Sequence, residues 1–376
     1  MKNNAAYHIL ALAPFAPLPE ETASSAVIKL DPGDPDAALA EFAPVIRLNT
    51  SPPVDFAPRN LNDFSPLNLV GSLECFESQS TASKTSGSKE KKDSVVENLM
   101  SLVDLPEDNQ NISGSSSDTR ASSPNGKILH DLLADKHFQG LEAAWRGLSL
   151  LSSEKNRLSL SAAAVNRTNI IPILKDLTPK LADSPPDLIV LGLDLDASPL
   201  AMDIMRALAD CADQLLTTVI FGLSPDFFGI DNWSLQDKLQ FLPHELQNTR
   251  YASFNSLRKQ PKAHGLIPVT GGAPCRSPYS PADAPFAFQD PGAPHVSPAF
   301  CLASAFLKKV LKSGWPAASE APPALMYKMP ESRANELQGT GISAIAGPEG
   351  RIIALQTLAA SSVFTRLCFS RLTGFL

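Results

Sequence analysis

Apolar residues near the N-terminus occur in short runs that are separated by turn residues. These runs predict three β-strands, at Tyr7–Leu12, Ala26–Leu30 and Val45–Leu48. Between the second and third runs, DPGDPDAALAEF begins with turn residues and then places Ala38, Leu39 and Phe42 on one face, which predicts a short helix. Residues 1–75 are therefore expected to form a small α+β region.

From residue 127 onward, helical patterns alternate with strongly apolar strands. The stretch KILHDLLADKHFQGLEAAWRGLSLL predicts a helix with Phe138, Leu141, Trp145 and Leu148 on one stripe. The elements that follow are predicted at Arg157–Ala164 (strand), Asn169–Leu181 (helix), Asp187–Leu193 (strand), Pro199–Leu215 (helix) and Thr217–Leu223 (strand). This alternation is typical of a parallel or mixed sheet with helices on both faces, and so predicts an α/β fold.

Beyond Gly229 the pattern loosens. LIPVTGGAPCRSPYSPADAPF is dense in proline and glycine, which predicts an extended irregular loop. Ser297–Ser313 is predicted to be a helix. We expect residues 127–376 to form one large domain.

Residues 76–126 differ from both neighbours because they are rich in serine and poor in apolar residues. Such a composition predicts a flexible linker. One exception, near 94–105, repeats apolar residues at spacings of three and four, which predicts an amphipathic helix. Its stripe contains Val95, Val96, Leu99, Leu102 and Val103. This helix either docks on its own protein or binds a partner.

Charge and composition narrow the class of protein. Lys and Arg number 32 against 39 Asp and Glu, a net charge of −7, which argues against a generally basic nucleic-acid binder. Five scattered cysteines without a CxxC motif predict neither a disulfide framework nor a metal site, and no cofactor is expected. No apolar run approaches the roughly 18 residues that span a bilayer, so direct membrane insertion is not expected. The chain is expected to be cytoplasmic.

One sequence feature suggests catalysis. In VLGLDLDASP an apolar strand ends at Asp194, and Asp196 follows, as in phosphotransferases that use one aspartate as nucleophile and the next as acid and base beside magnesium. The following strand ends at Ser224, which could bind phosphate. The alternative is that Asp196 and Ser198 cap the next helix. Cys275 beside Arg276 could likewise have a lowered thiol pKa, or be structural.

Several motifs, in a shared order, resemble a known family. The first lies within ILHDLLADKHFQGLEAAWRGLSLL, and an "SP.FFG" turn, an "R.PY" segment, a helix ending in "GW" and a "PE.R" stretch follow it. The residues that carry the resemblance are Leu129, Phe138, Leu141, Glu142, Trp145, Arg146, Gly147, Leu148, Phe228, Gly229, Arg276, Pro278, Tyr279, Gly314, Trp315, Pro330 and Glu331. Together they are similar to the large subunit of the type VI secretion contractile sheath.

Residues 1–75 carry a second resemblance, to the small subunit of the same sheath. It rests on the strand near Tyr7, the VIKLDPGDPDAALAEFAPVIRL stretch, and Leu61, Asp63, Phe64 and Pro66. The two subunits would then be fused in one chain, with the small-subunit part shortened.

The resemblance implies a structural, non-enzymatic protein with a sheath-subunit-like fold. It implies assembly with other sheath subunits and, further, with the inner tube, the baseplate and an AAA+ disassembly unfoldase. That unfoldase would bind the amphipathic helix through Val96, Leu99, Leu102 and Val103. The family continues beyond the "SRL" helix with strands that this chain lacks, so an accessory, capping or degenerate sheath paralogue is an alternative. The alternative from another class is the magnesium-dependent phosphotransferase with Asp194 and Asp196.

Overall fold

A computed structural model describes residues 7–48, 53–73, 75–76, 124–151, 158–233, 235, 239–271, 273–313, 331–337, 339–346, 351–354 and 358. The strands in these ranges are β1 (Tyr7–Ala13), β2 (Ile28–Leu30), β3 (Ile46–Leu48), β4 (Val54–Phe56), β5 (Leu158–Ala164), β6 (Leu188–Leu195), β7 (Thr218–Leu223), β8 (Leu266–Thr270), β9 (Ala273–Pro274), β10 (His295–Val296), β11 (Ser343–Ala346) and β12 (Arg351–Ala354).

The α-helices in these ranges are α1 (Pro35–Phe42), α2 (Pro66–Ser72), α3 (Pro124–Ala134), α4 (Lys136–Ser149), α5 (Ile170–Leu181), α6 (Pro199–Leu215), α7 (Leu242–Glu245), α8 (Ala252–Arg258), α9 (Pro298–Ser313) and α10 (Glu331–Glu336). Single 3₁₀ turns connect several of them, including Leu61–Phe64 and Pro225–Phe228. None of the helices in the described ranges is long and apolar enough to cross a membrane.

An eight-stranded mixed sheet, in the order β12-β11-β8-β7-β6-β1-β5-β2, lies at the centre of the fold. The six inner strands run parallel, and the two edge strands, β2 and β12, pair antiparallel to their neighbours. The inner strands are apolar on both sides because helices cover both faces of the sheet. The predicted α/β class with a flanked mixed sheet is confirmed.

The N-terminal strand β1 lies inside this sheet, between β5 and β6. Leu10 is in register with Ser161 on one side and with Ile189 on the other. Ile9 and Ala11 face one layer of helices while Leu10 and Leu12 face the other. Residues from both predicted regions, 1–75 and 127–376, therefore build one continuous sheet.

Two apolar cores lie on opposite faces of the sheet. Helices α3, α4 and α9 cover one face together with α1, and their core includes Trp145 and Phe300. Helices α5 and α6 cover the other, and their core includes Ile173, Met205 and Phe221. This is a three-layer arrangement of helices, sheet and helices.

The predicted elements agree with the observed ones at most positions. Helix α6 has the predicted bounds, and the predicted strands at 7–12, 157–164, 187–193 and 217–223 are confirmed with shifts of a residue or two. The helical stretch predicted from residue 127 is confirmed, but one continuous helix is wrong, because Asp135 separates α3 from α4. Its Oδ1 accepts hydrogen bonds from the N–H groups of His137 and Phe138, at 2.8 and 3.1 Å, and so begins a new helix.

The irregular loop predicted from Leu266 is also wrong over its first residues. Leu266–Thr270 is β8, an inner strand that is buried along its whole length and pairs with β7. Pro268 and the following Gly271 suggested a loop because proline is rare in inner strands. Pairing with an apolar neighbour decides the conformation, which local propensity does not show. Beyond β8 the segment is largely irregular, as predicted.

Candidate functional site

Four charged side chains, of which Arg146 is partly exposed and the other three are buried, form a network that joins distant parts of the chain. Glu142 of α4 is fully buried, with Arg146 Nε 2.8 Å and Arg276 Nε 3.2 Å from its Oε1 atom. Arg276 also contacts Asp290 with both terminal nitrogens, at 2.8 and 3.3 Å. Two carboxylates and two guanidinium groups therefore balance in charge, which buried ions require. We call these four residues the buried charge network.

Tyr279 extends the network to the N-terminal region. Its N–H donates to Asp290 Oδ2 at 2.7 Å, and its ring lies 3.7 Å from the Arg276 guanidinium carbon. Its hydroxyl donates to the Phe64 carbonyl at 3.2 Å. Of these residues the motifs identified Glu142, Arg146, Arg276 and Tyr279, and the fold brings them together. Asp290 was missed, since it lies in an irregular segment without periodicity.

The electrostatics favour the charged forms of Asp290 and Arg276 and the neutral form of Tyr279. Burial alone would raise the pKa of Asp290, but Arg276 and two backbone N–H groups outweigh it and lower the pKa. Burial would lower the pKa of Arg276, and the hydrogen bond to Asp290 reverses this and raises it. Burial, helped by Glu142, raises the pKa of Tyr279 to about 12, which keeps its hydroxyl a donor.

Cys275 lies beside the network, but it is not a reactive thiolate. Burial raises its pKa, and the charge of Glu142 raises it further, because both disfavour the negative thiolate. The suggestion of a lowered thiol pKa is therefore wrong: the charges of Arg146 and Arg276 lower the pKa, but burial and Glu142 outweigh them.

Two aromatic clusters attach the N-terminal region to α4. Trp145 donates its Nε1–H to the Phe15 carbonyl at 3.1 Å, and its ring lies 5.1 Å from that of Phe15 and 5.4 Å from that of Phe42. Phe138 packs in the same way against Phe56 and Phe64, at 5.3 and 5.5 Å. Through Trp145 and Phe138, α4 thus contacts four phenylalanines from four separate segments of the N-terminal region.

Gly147 lets α4 approach α9 closely. A β-carbon at this position would lie 2.4 Å from Cδ2 of Phe300, closer than two carbons can approach. The same ring contacts Gly192 of β6, where a β-carbon would lie 2.6 Å from Cε2. Phe300 therefore fills a slot between α4 and the sheet that exists only because both positions are glycine.

The "SP.FFG" motif forms a tight turn after β7. Phe227 and Phe228 are buried in a 3₁₀ turn, and Gly229 ends it at φ +76°, a conformation that favours glycine. The Tyr251 hydroxyl donates to the Phe227 carbonyl at 2.7 Å, and Arg250 Nη2 donates to the Asp226 carbonyl at 2.6 Å. The motif is thus a folding element that fixes the segment leading to α7.

The positions of Asp194 and Asp196 do not support a phosphotransfer site. The Oδ1 atom of Asp194 is enclosed beneath the start of α9, where a β-carbon on Gly222 would lie 2.0 Å from it. Burial raises the pKa of Asp194 to about 6. Asp196 instead pairs with Arg167 at 2.9 Å. Within the described ranges, no group of three or more histidine, cysteine or acidic side chains is arranged to hold a metal ion.

Helix capping accounts for the residues around Asp196. Asp196 Oδ1 accepts from the Ser198 N–H at 3.0 Å, and Ser198 Oγ accepts from the Ala201 N–H at 3.3 Å. Burial would raise the pKa of Asp196, but hydrogen bonds from Ser198 and Arg167 lower it to about 2. Ser224 Oγ is buried without a hydrogen-bond partner among the described residues, so it does not face a solvent-accessible phosphate site.

The remaining motif residues have varied positions. Leu129, Leu141 and Leu148 are buried in the core on the α4 side of the sheet, whereas Pro278 and Glu331 are exposed. Gly314, Trp315, Pro330 and the helix residues Val96, Leu99, Leu102 and Val103 lie outside the described residues.

Comparison with protein families gives a match in the second half of the fold. Residues 180–323 match the family described as VipB, the EvpB/VC_A0108 tail sheath N-terminal domain. The resemblance to the large sheath subunit is confirmed over these residues. The matched segment runs from the end of α5 past α9 and is less than half of the chain. It contains Arg276, Tyr279 and Asp290, but neither α4 nor β1.

Comparison with curated proteins found no match to this chain. The family match supports a component of the type VI secretion sheath, and the family is a structural one.

Proposed function

We propose that this protein is a structural, non-enzymatic component of the type VI secretion contractile sheath that acts in the cytoplasm. The observation that carries the proposal is the family match over residues 180–323. The buried charge network supports it, because its ions are paired with one another and are not directed into an open pocket. Energy in such a machine is stored in packing between subunits that have alternative arrangements.

The proposal extends to the organisation of the chain. Residues 1–75 would act as the small sheath subunit, 76–126 as a linker, and 127–376 as the large subunit. The position of β1 between β5 and β6 supports this, since a fused small subunit would supply its strand to the same sheet. The contacts of Trp145 and Tyr279 with the N-terminal region support it further.

The partners follow from the same role. Other sheath subunits are the expected direct partners, and the inner tube and baseplate are expected neighbours in an assembled apparatus. The amphipathic helix near 94–105 would be available to an AAA+ disassembly unfoldase through Val96, Leu99, Leu102 and Val103. The motif residues of α4 would support the fold from which these contacts are made.

Co-expression with the sheath subunits of the same organism, followed by negative-stain microscopy, tests the proposal. We expect the protein to copurify with sheath proteins and to be found in tubes. A variant that weakens the core at Trp145, such as Trp145→Ala, should lose this association if the fold is required. Absence of any association with sheath proteins would contradict the proposal. Magnesium-dependent hydrolysis of a phosphomonoester, lost in Asp194→Asn, would restore the enzyme hypothesis.

A further inference from the structure

A surface groove beside the short helix α7 is the strongest feature outside the site described above. Its volume is about 570 Å³, and we call it the α7 groove. Phe228, Ile230, Leu242 and Leu246 give it an apolar floor, with Phe241 and Arg250 also in its lining. We propose that the α7 groove binds a segment of a partner polypeptide in which an apolar side chain stands next to a carboxylate. This binding does not depend on the sheath role.

Phe241 is the reason to expect an apolar side chain in the partner segment. Its side chain is 74% exposed, and its φ of +52° is a conformation that a bulky residue rarely adopts. The surroundings hold it there: its carbonyl accepts from the N–H groups of His244 and Glu245 at 2.9 and 3.1 Å. The fold therefore fixes an aromatic ring in solvent beside an apolar groove, as at the centre of many protein interfaces.

The next residue along the chain is fixed as well. The Leu242 N–H donates to Glu336 Oε2 at 3.2 Å, and Arg333 holds the other carboxylate oxygen of Glu336 at 2.6 Å. The backbone at Leu242, at the edge of the groove, is thus held in place by α10. A binding surface prepared in this way loses little conformational entropy when a partner binds.

Arg250 is the reason to expect a carboxylate in the partner segment. Its Nη2 donates to the Asp226 carbonyl, and its guanidinium carbon lies 5.6 Å from the Tyr251 ring centre. Within the described part of the chain it forms no ion pair. A carbonyl and a ring position the guanidinium without neutralising it, so its charge remains available to a carboxylate, the group that arginine binds best.

A second arginine lies on the other side of Leu246. Arg258 lines an adjoining hollow of about 200 Å³. It donates to the carbonyls of Gly339 and Leu358 at 2.9 and 3.2 Å, and burial lowers its pKa. No described carboxylate pairs with it either. Glu245 also lines the α7 groove. Within the α7 groove the charges of Arg250 and Glu245 cancel, and Arg258 in the adjoining hollow brings the sum over both hollows to +1, which complements an acidic segment.

Binding of a fluorescent peptide to the full chain tests the proposal. The probe is acetyl-Asp-Leu-Phe-Asp-amide, and its control is the isosteric acetyl-Asn-Leu-Phe-Asn-amide, both measured by fluorescence anisotropy. We expect the acidic probe to bind about tenfold more tightly than the amide, the size of a charge-assisted hydrogen bond. Equal binding of the two peptides, or no binding of the acidic probe, would overturn the proposal.

Matched variants separate the groove from a general effect. Arg250→Gln and Phe241→Ala should each weaken binding of the acidic probe about tenfold. Arg206→Gln and Leu216→Ala should leave it unchanged, since Arg206 is an exposed arginine on α6, and Leu216 is 63% exposed with φ +51° but lies outside the groove. Equal losses of probe affinity in all four variants would contradict the assignment. Self-association of the protein that Phe241→Ala abolishes would also contradict it, because a second copy of the chain would then occupy the groove.

Discussion

Arg276 contacts both carboxylates of the buried charge network and the ring of Tyr279. Its side chain is 5% exposed, and those of Glu142 and Asp290 are 0% and 6% exposed. Burying such ions costs free energy that only well-placed partners offset, so the arginine matters mainly because its loss leaves charges without compensation.

Removal of Arg276 should therefore be severe. We expect Arg276→Ala to lower the free energy of unfolding by about 3 kcal/mol or more, because Asp290 loses its guanidinium partner while buried. Arg206→Ala, which removes an exposed ion pair with Asp203 on α6, should change it by less than about 1 kcal/mol. Urea denaturation of both variants measures the difference. Similar small changes would show that the network is not important for stability.

Asp194 and Asp196 should affect the pH dependence of stability in opposite directions. The pKa of Asp194 is raised to about 6, so the folded state binds its proton more tightly than the unfolded state. Its contribution is present below the unfolded pKa of about 4 and is lost as the pH rises through 6. Asp194→Asn should therefore gain stability relative to the natural chain between pH 4.5 and 7.

The pKa of Asp196 is lowered to about 2, so its carboxylate stabilises the fold above pH 4. That contribution is lost as the pH falls towards 2. Asp196→Asn should accordingly be destabilised at pH 7, with the difference from the natural chain shrinking as the pH falls. Thermal unfolding at a series of pH values tests both variants. Parallel curves for both would contradict the assigned environments.

At the scale of elements, the fit of α4 against α9 depends on the absence of a side chain at Gly147. The ring of Phe300 occupies the place where a β-carbon would be, and its contact with Gly192 leaves it little room to move away. Helix-to-helix spacing here is therefore set by two glycines and one aromatic ring.

Two glycines of α4 offer a matched test. Gly147→Ala should lower the free energy of unfolding by about 1–3 kcal/mol, because the new methyl group overlaps Phe300. At Gly140 of the same helix nothing lies within 4 Å of the added carbon, so Gly140→Ala should stabilise the protein by about 0.5–1 kcal/mol through helix propensity. Chemical denaturation measures both, and the same sign of change in the two variants would refute the close packing.

At the scale of the whole molecule, β1 makes the N-terminal region a part of the central sheet. It pairs with β5 over seven residues and with β6 over four. Removing an inner strand would leave two strand edges and both cores exposed, so the two regions are expected to be stable only together.

A cut in the chain tests this dependence. A protease site is introduced near Gly114 of the full-length protein, and the chain is cleaved there. We expect the two fragments to elute together on gel filtration, because the contacts of β1, Trp145 and Tyr279 hold them in one complex. A second variant, Leu10→Asp, places a charge between the sheet and α5, and should release the fragments or unfold the protein. If the two fragments separate after cleavage of the protein that keeps Leu10, a sheet shared by both regions is contradicted.

Most of the strands and helices could be predicted from the sequence because their apolar periodicity is local. β1, β5, β6, β7 and α6 needed only a run of apolar residues or a helical stripe. The motifs also identified Glu142, Arg276 and Tyr279, but they did not predict that these side chains contact one another in a buried network. Asp290 could not have been found because it lies in an irregular segment without periodicity, although Arg276 is only 14 residues away. The role of Phe300 could not have been found because Gly147 and Gly192, which its ring contacts, lie far from it in the chain.

What the sequence by itself determined is the α/β class, the periodic elements and the resemblance to a sheath subunit, because each depends on residues close together in the chain. Only the tertiary structure decided that β1 is an inner strand, that Leu266–Thr270 is a strand despite Pro268, and that Glu142, Arg276 and Asp290 meet. These outcomes depend on which apolar surfaces and charges find partners when the chain closes on itself. The apolar surfaces and the charges become buried together on folding, and a local sequence pattern does not predict which of them will meet.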